Sequence, residues 1–154
     1  MGLVKRKAWI TLLFLSLLVS CGTDMREWPY IELSFKADEA KSIYINYLDR
    51  EDTSKTVRYY SEEKKAMDSI YNLLEVTHVN PKEKTSTKDL QDYSQKVSFY
   101  FSLNNKDTYD LKAYICGLDT YFVYSDEIRS FPADFKSVFL KTMKDNAEYF
   151  TVLK

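Results

Sequence analysis

Val97-Ser98-Phe99-Tyr100-Phe101-Ser102-Leu103 alternates without a break. Val97, Phe99, Phe101 and Leu103 fall on one side of an extended chain, and Ser98, Tyr100 and Ser102 on the other. A period of two predicts a strand with one buried face, and it suits an antiparallel sheet covered on one side. Asn104-Asn105-Lys106-Asp107 then supplies turn chemistry. Tyr109, Leu111, Ala113 and Ile115 form a second inward row, Gly117 permits a second turn, and residues 121–124 return as a third strand. These strands read as a meander.

Upstream, Ile31, Leu33 and Phe35 alternate over residues 30–35, and Ile43-Tyr44-Ile45-Asn46-Tyr47 repeats the pattern. Asp49-Arg50-Glu51-Asp52 is a solvated turn; it lacks the spacing and the glycine of a calcium loop. A shorter strand is expected over 56–60. Ser61 then offers a hydroxyl cap, with Glu62 and Glu63 in the first helical turn. Ala66, Met67, Ile70, Leu73 and Leu74 recur at helical spacing, so this helix buries a stripe and ends near Thr77. Residues 79–93 are polar and read as a long mobile loop. Pro132 sits near the start of a final helix with a stripe of Phe135, Val138, Phe139, Met143, Ala147 and Phe150.

The predicted order is βββαβββα. It defines an α+β domain whose antiparallel sheet comes in two three-stranded parts, with both helices packed on one face.

A different signal precedes this domain. Lys5-Arg6-Lys7 is followed by an apolar run over 8–19, broken only by Thr11 and Ser16. That is the plan of a secretory signal peptide, and the run is too short to span a bilayer. The run closes on Leu18-Val19-Ser20-Cys21, which resembles the lipobox of bacterial lipoproteins. The resemblance implies lipidation of the Cys21 thiol and cleavage of the Ser20–Cys21 bond. It covers about the first 22 residues and implies nothing about the rest. Gly22 stands where an aspartate would resemble an inner-membrane retention signal. The expected location is therefore membrane-anchored by lipid, facing the periplasm or the cell exterior, on the outer membrane if the source has one.

The expected organisation is a signal peptide over 1–20, a tether over 21–28 and one domain over 29–154. Residues 21–27 reach at most about 25 Å, so the domain should lie close to the membrane. Trp28 is expected to pack under the first strand, with the lipid interface as the alternative.

Removing residues 1–20 takes away three basic side chains and no acid. The 22 basic residues fall to 19 against 23 acidic ones, and net charge moves from −1 to −4. Nucleic acid is a poor partner for such a domain. Of two cysteines, Cys21 is assigned to lipid, which leaves Cys116 and no expected intramolecular disulfide. Three glycines in the whole chain rule out Gly-rich phosphate loops, dinucleotide fingerprints and nucleophile elbows.

His78 is the one histidine, and no serine sits in a recognisable nucleophile context. A metal site would have to be built largely from carboxylates, so neither metal nor cofactor is expected. The chain reads as a non-enzyme. Thirteen tyrosines are many for 154 residues, and Tyr44, Tyr100 and Tyr114 take outward strand positions. Tyrosine suits recognition surfaces, and it also simply suits strands. The leading expectation is a lipid-anchored, non-catalytic binding domain with a protein partner in the envelope. It loosely resembles small immunity or inhibitor lipoproteins in size, anchor and lack of catalytic motifs. The alternatives are a structural or envelope-maintenance lipoprotein and an envelope hydrolase.

Overall fold

A computed structural model describes residues 28–80, 90–117, 119–124, 127–132 and 134–153. The expected signal peptide, the motif ending in Ser20 and Cys21, the tether as far as residue 27 and the middle of the expected loop lie outside the described residues.

Seven strands form one antiparallel sheet: β1 (Ala40–Asp49), β2 (Val57–Ser61), β3 (Gln95–Leu103), β4 (Thr108–Cys116), β5 (Asp119–Tyr124), β6 (Glu127–Ser130) and β7 (Thr151–Leu153). Their spatial order is β6-β5-β4-β3-β1-β2-β7. Helix α1 (Lys64–Glu75) follows β2, and α2 (Phe135–Asp145) follows β6. The mixed α+β class holds. The division into two three-stranded parts does not, because β1 pairs β3 along its whole length, from Ala40↔Leu103 to Asp49↔Gln95. That long ladder joins the halves on either side of α1 into one sheet.

The expected first strand over 30–35 is also corrected. Ile31 and Phe35 are buried, as their alternation implied, but the segment does not join the sheet. It forms one bridge, Tyr30↔His78, with the Ile31 N–H donating to the Thr77 carbonyl (2.9 Å) and the Val79 N–H to the Pro29 carbonyl (2.8 Å). Period two reported burial correctly; the partner is the short segment after α1.

Strands β6 and β7 were not expected. Residues 127–130 hold one apolar side chain, and β7 leaves Val152 and Leu153 exposed. Backbone pairing with β5 and β2 defines them, not burial.

Register places Ile43, Phe101 and Tyr109 abreast, then Ile45, Phe99 and Leu111, then Tyr47, Val97 and Ala113. This inner face carries both helices. α1 buries Ala66, Met67, Ile70, Leu73 and Leu74. Phe139 of α2 sits edge-on to Phe99 (5.8 Å) and stacks beside Tyr47 (6.1 Å). Phe122 stacks on Phe131 at 3.8 Å, and Phe135 meets both edge-on. The second helical stripe is narrower than expected. Val138 and Ala147 are exposed, and Phe150 is buried beyond the helix end.

The start of α1 differs too. Ser61 ends β2, its hydroxyl donating to the Tyr149 carbonyl (2.6 Å) and accepting from the Glu63 N–H (3.0 Å). Glu62 and Glu63 therefore precede the helix. Gly117 turns β4 into β5 with φ of 65°, where a side chain would be strained.

Where β1 ends, Asp49 is buried, and its Oδ1 accepts the Glu51 (3.0 Å) and Asp52 (2.9 Å) N–H groups. Its own N–H donates to Thr56 Oγ1 at 3.1 Å. The acidic turn is thus organised inward around one carboxylate. The Asp52 N–H above all, with lesser help from Gln95 and Glu51, holds the Asp49 carboxyl below its usual range. Burial, seconded by that carboxylate, pushes the Tyr47 hydroxyl up to about 12.

Candidate functional site

Among the described residues, no helix covers the outer face of the sheet. Tyr60, Tyr44 and Tyr100 are directly opposite one another across β2, β1 and β3, and Asp110 of β4 continues the row. Three neighbouring strands each contribute a tyrosine at one level because the register sets Ser61, Ile43 and Phe101 abreast one residue away, and these are buried on the other side. The Tyr44 and Tyr100 rings are 5.9 Å apart and tilted. Tyr100 is 39 % exposed and Tyr44 half-buried. The Tyr60 hydroxyl donates to Glu62 Oε1 at 2.5 Å, a bond that raises its pKa. Sequence reasoning missed Tyr60. Its parity against Val57 was visible, but the register that sets it beside Tyr44 was not.

The next row crosses Arg58, Asn46, Ser98 and Lys112. Ser98 is only 1 % exposed, although it faces the side without helices. Its Oγ and the Oδ1 of Asn46 opposite are buried without a hydrogen-bond partner among the described atoms. Lys112 Nζ reaches Asp110 at 3.1 Å, which raises the lysine pKa. The tyrosines therefore stand in a polar field with both signs of charge.

Tyr114 belongs to the same face but not to the same surface. The ring of Tyr93 packs edge-on against it at 5.3 Å. Lys96 Nζ lies 5.7 Å from each of these two rings, and Arg50 lies 4.6 Å over Tyr93. Arg50, the residue after β1, also donates to the Gln91 carbonyl at 3.0 Å and so holds the 90–93 segment in place. Leu90, Gln91 and Tyr93 then line a shallow pocket of about 400 Å³ with Tyr114, Val123 and Ile128. Burial there raises the Tyr114 pKa. The structure thus brings Tyr44 and Tyr100 together and sets Tyr114 apart under a flap. The described end of the expected loop borders the face.

His78 has a structural position. Its Nδ1 donates to the Trp28 carbonyl at 2.6 Å, and its ring lies 4.2 Å from that of Tyr30. Cys116 is a half-buried thiol at the end of β4. Among the described residues, no group of three His, Cys, Asp or Glu side chains is placed to hold a metal ion, and no helix is long and apolar enough to cross a membrane. No protein-family model, curated protein or solved structure matches the chain.

Proposed function

We propose that the chain is a lipid-anchored envelope protein whose α+β domain binds a protein partner, without catalysis, through the outer face of its sheet. The observation that carries this reading is the row Tyr60–Tyr44–Tyr100 on the face without helices. Rigid aromatic rings with hydroxyls, set among Asp110, Lys112 and Ser102, combine contact area with hydrogen-bonding capacity, as recognition surfaces do. The anchor rests on Leu18-Val19-Ser20-Cys21. Lipid on Cys21 would hold the domain at the membrane while the sheet captures its partner, as an immunity or inhibitor lipoprotein intercepts a toxin or enzyme.

Two measurements test the two halves. Bacteria fed labelled fatty acid should label the wild type, whereas Cys21→Ser should take up no label and remain at precursor size; an unlabelled wild type removes the anchor. For the face, a photo-crosslinking residue at position 100 should trap a discrete partner in intact cells. The same residue at Lys64, exposed on α1, should not. Equal trapping at both positions removes the assignment to the outer face.

A further inference from the structure

We infer that the apolar end of the helix layer, a groove between the C-terminal end of α1 and the N-terminal end of α2, docks on the lipid bilayer and turns the tyrosine row away from it. The inference rests on the lipid-anchor reading of Cys21.

Leu73, Val76, Pro132, Phe135 and Val138 give this groove of about 320 Å³ its apolar walls, with His78 and Asp134 among its polar ones. Val76 is 62 % exposed and Val138 41 %, and Tyr30, whose ring lies tilted 4.2 Å from that of His78, is 54 % exposed. Apolar side chains held out in water at one site gain by leaving it.

The chain itself indicates where they go. The Trp28 carbonyl is bonded to His78 in the groove wall, so the backbone at residue 28 is fixed at this end of the domain. Cys21 precedes it by seven residues, a reach of at most about 25 Å. A lipid on Cys21 therefore keeps residue 28, and the groove beside it, within about 25 Å of the headgroups. Trp28 and Tyr30 are the residue types that settle at a membrane interface. With a mature net charge of −4, attraction to anionic headgroups is not the driving force, so a zwitterionic bilayer suffices. No sheet residue lines the groove. Docking there puts the helix layer toward the membrane and leaves the outer face of the sheet toward the aqueous compartment.

The mature protein supplies its own probe. The chain has two tryptophans, and Trp9 leaves with the signal peptide, so Trp28 is the single emitter. Lipidated protein is reconstituted into phosphatidylcholine vesicles, with and without dibrominated acyl chains, and floated on a gradient. Expected is a blue shift of Trp28 emission from detergent to vesicles and strong quenching by the brominated lipid. Val76→Asp with Val138→Asp should lose most of both effects while still floating and melting as the wild type does; Val76→Ser with Val138→Ser serves if the charged pair misfolds. Tyr100→Ala should behave as the wild type. Protein that floats with Trp28 unquenched overturns docking and leaves the anchor standing. Quenching that the groove variants leave unchanged also overturns it, as when the chain's own N-terminal residues or a second copy fill the groove. Protein that does not float refutes the anchor, and this inference with it.

Discussion

The two faces of the sheet are written by the same alternation and finished differently. Inside, Phe99 is fully buried beneath Phe139. One residue later, Tyr100 stands 39 % exposed beside Tyr44. Adjacent residues of one strand thus have separate tasks, one holding the fold together and the other available for contact. The inner face is continuous from β1 to β5, whereas the outer face is divided. Its β4–β6 part lies under Leu90, Gln91 and Tyr93, and its β2–β1–β3 part presents the tyrosine row. A strand pattern assigns a residue to a side; what lies on that side is decided by chain from elsewhere.

The largest effect should come from breaking the inner face. Phe99→Ala removes a ring packed by Phe139 and flanked by Ile45 and Leu111, and such truncations cost about 3–5 kcal/mol. Chemical denaturation should register this as a clear fall in midpoint. Tyr100→Ala, one residue away, should fall by about 1 kcal/mol or less, the scale of a cross-strand aromatic pair. If the two variants lose equal stability, the contrast between the faces is wrong.

Partner affinity should show the reverse. Truncating hot-spot aromatics costs about 2 kcal/mol or more, roughly thirtyfold in affinity. Tyr44→Ala with Tyr100→Ala should therefore abolish capture of a cognate partner, whereas Phe99→Leu should keep it wherever the variant remains folded. Tyr114→Ala should weaken capture less, because Tyr93 already covers that ring. Titration of the purified partner reads all three. Equal losses for Tyr114 and Tyr100 would place the contact across the flap as well as the tyrosine row.

A third comparison concerns the charge at the end of the inner rows. Asp49→Ala leaves the Glu51 and Asp52 N–H groups without their acceptor, a loss of about 1–3 kcal/mol. The Asp49 carboxyl is held low, so its contribution is present above the ordinary aspartate range and disappears as pH falls through the depressed value. Wild type and Asp49→Asn should thus converge in stability on acidification. Tyr47 acts with the opposite sign. Its hydroxyl is raised to about 12, so its contribution is complete below a tyrosine's ordinary range and is lost as pH climbs toward 12. Tyr47→Phe should flatten the alkaline side. Melting temperature against pH measures both, and parallel curves would show that neither group couples to folding.

Burial was legible in the sequence wherever side chains repeat. The rows Ile43/Ile45/Tyr47, Val97/Phe99/Phe101 and Leu111/Ala113/Ile115 are buried, and so is the whole α1 stripe. Pairing was less legible. Nothing in residues 30–35 marks them as partners of Thr77–Val79 instead of a sheet edge, because an extended chain carries the same alternation in either place. β7 has no buried side chain to announce it. For the candidate site, local pattern put Tyr44, Tyr100 and Tyr114 on one face. Which of them shared a surface depended on register, which brought in Tyr60, and on Arg50, whose hold on the Gln91 carbonyl draws Tyr93 over Tyr114.

The smallest effect sharpens the comparison most closely, because it concerns a residue that fits neither face. Ser98 looks outward, yet it is 1 % exposed and its Oγ lacks a partner among the described atoms. It lies between Asn46 and Lys112 at the centre of the sheet. An unpaired buried hydroxyl costs about 1–3 kcal/mol in desolvation. Ser98→Ala recovers part of that and gives back a little through weaker strand propensity and a lost contact. The net expectation is a gain below about 1 kcal/mol, a rise in melting temperature of about 1–4 °C for a domain this size, with partner affinity unchanged. A fall of more than about 4 °C would instead mean that Ser98 and Asn46 are joined in a working pair. The outer face would then have a polar framework of its own, and the division into a face that holds the fold and a face that makes contact would have to be drawn between the tyrosine row and the row beneath it.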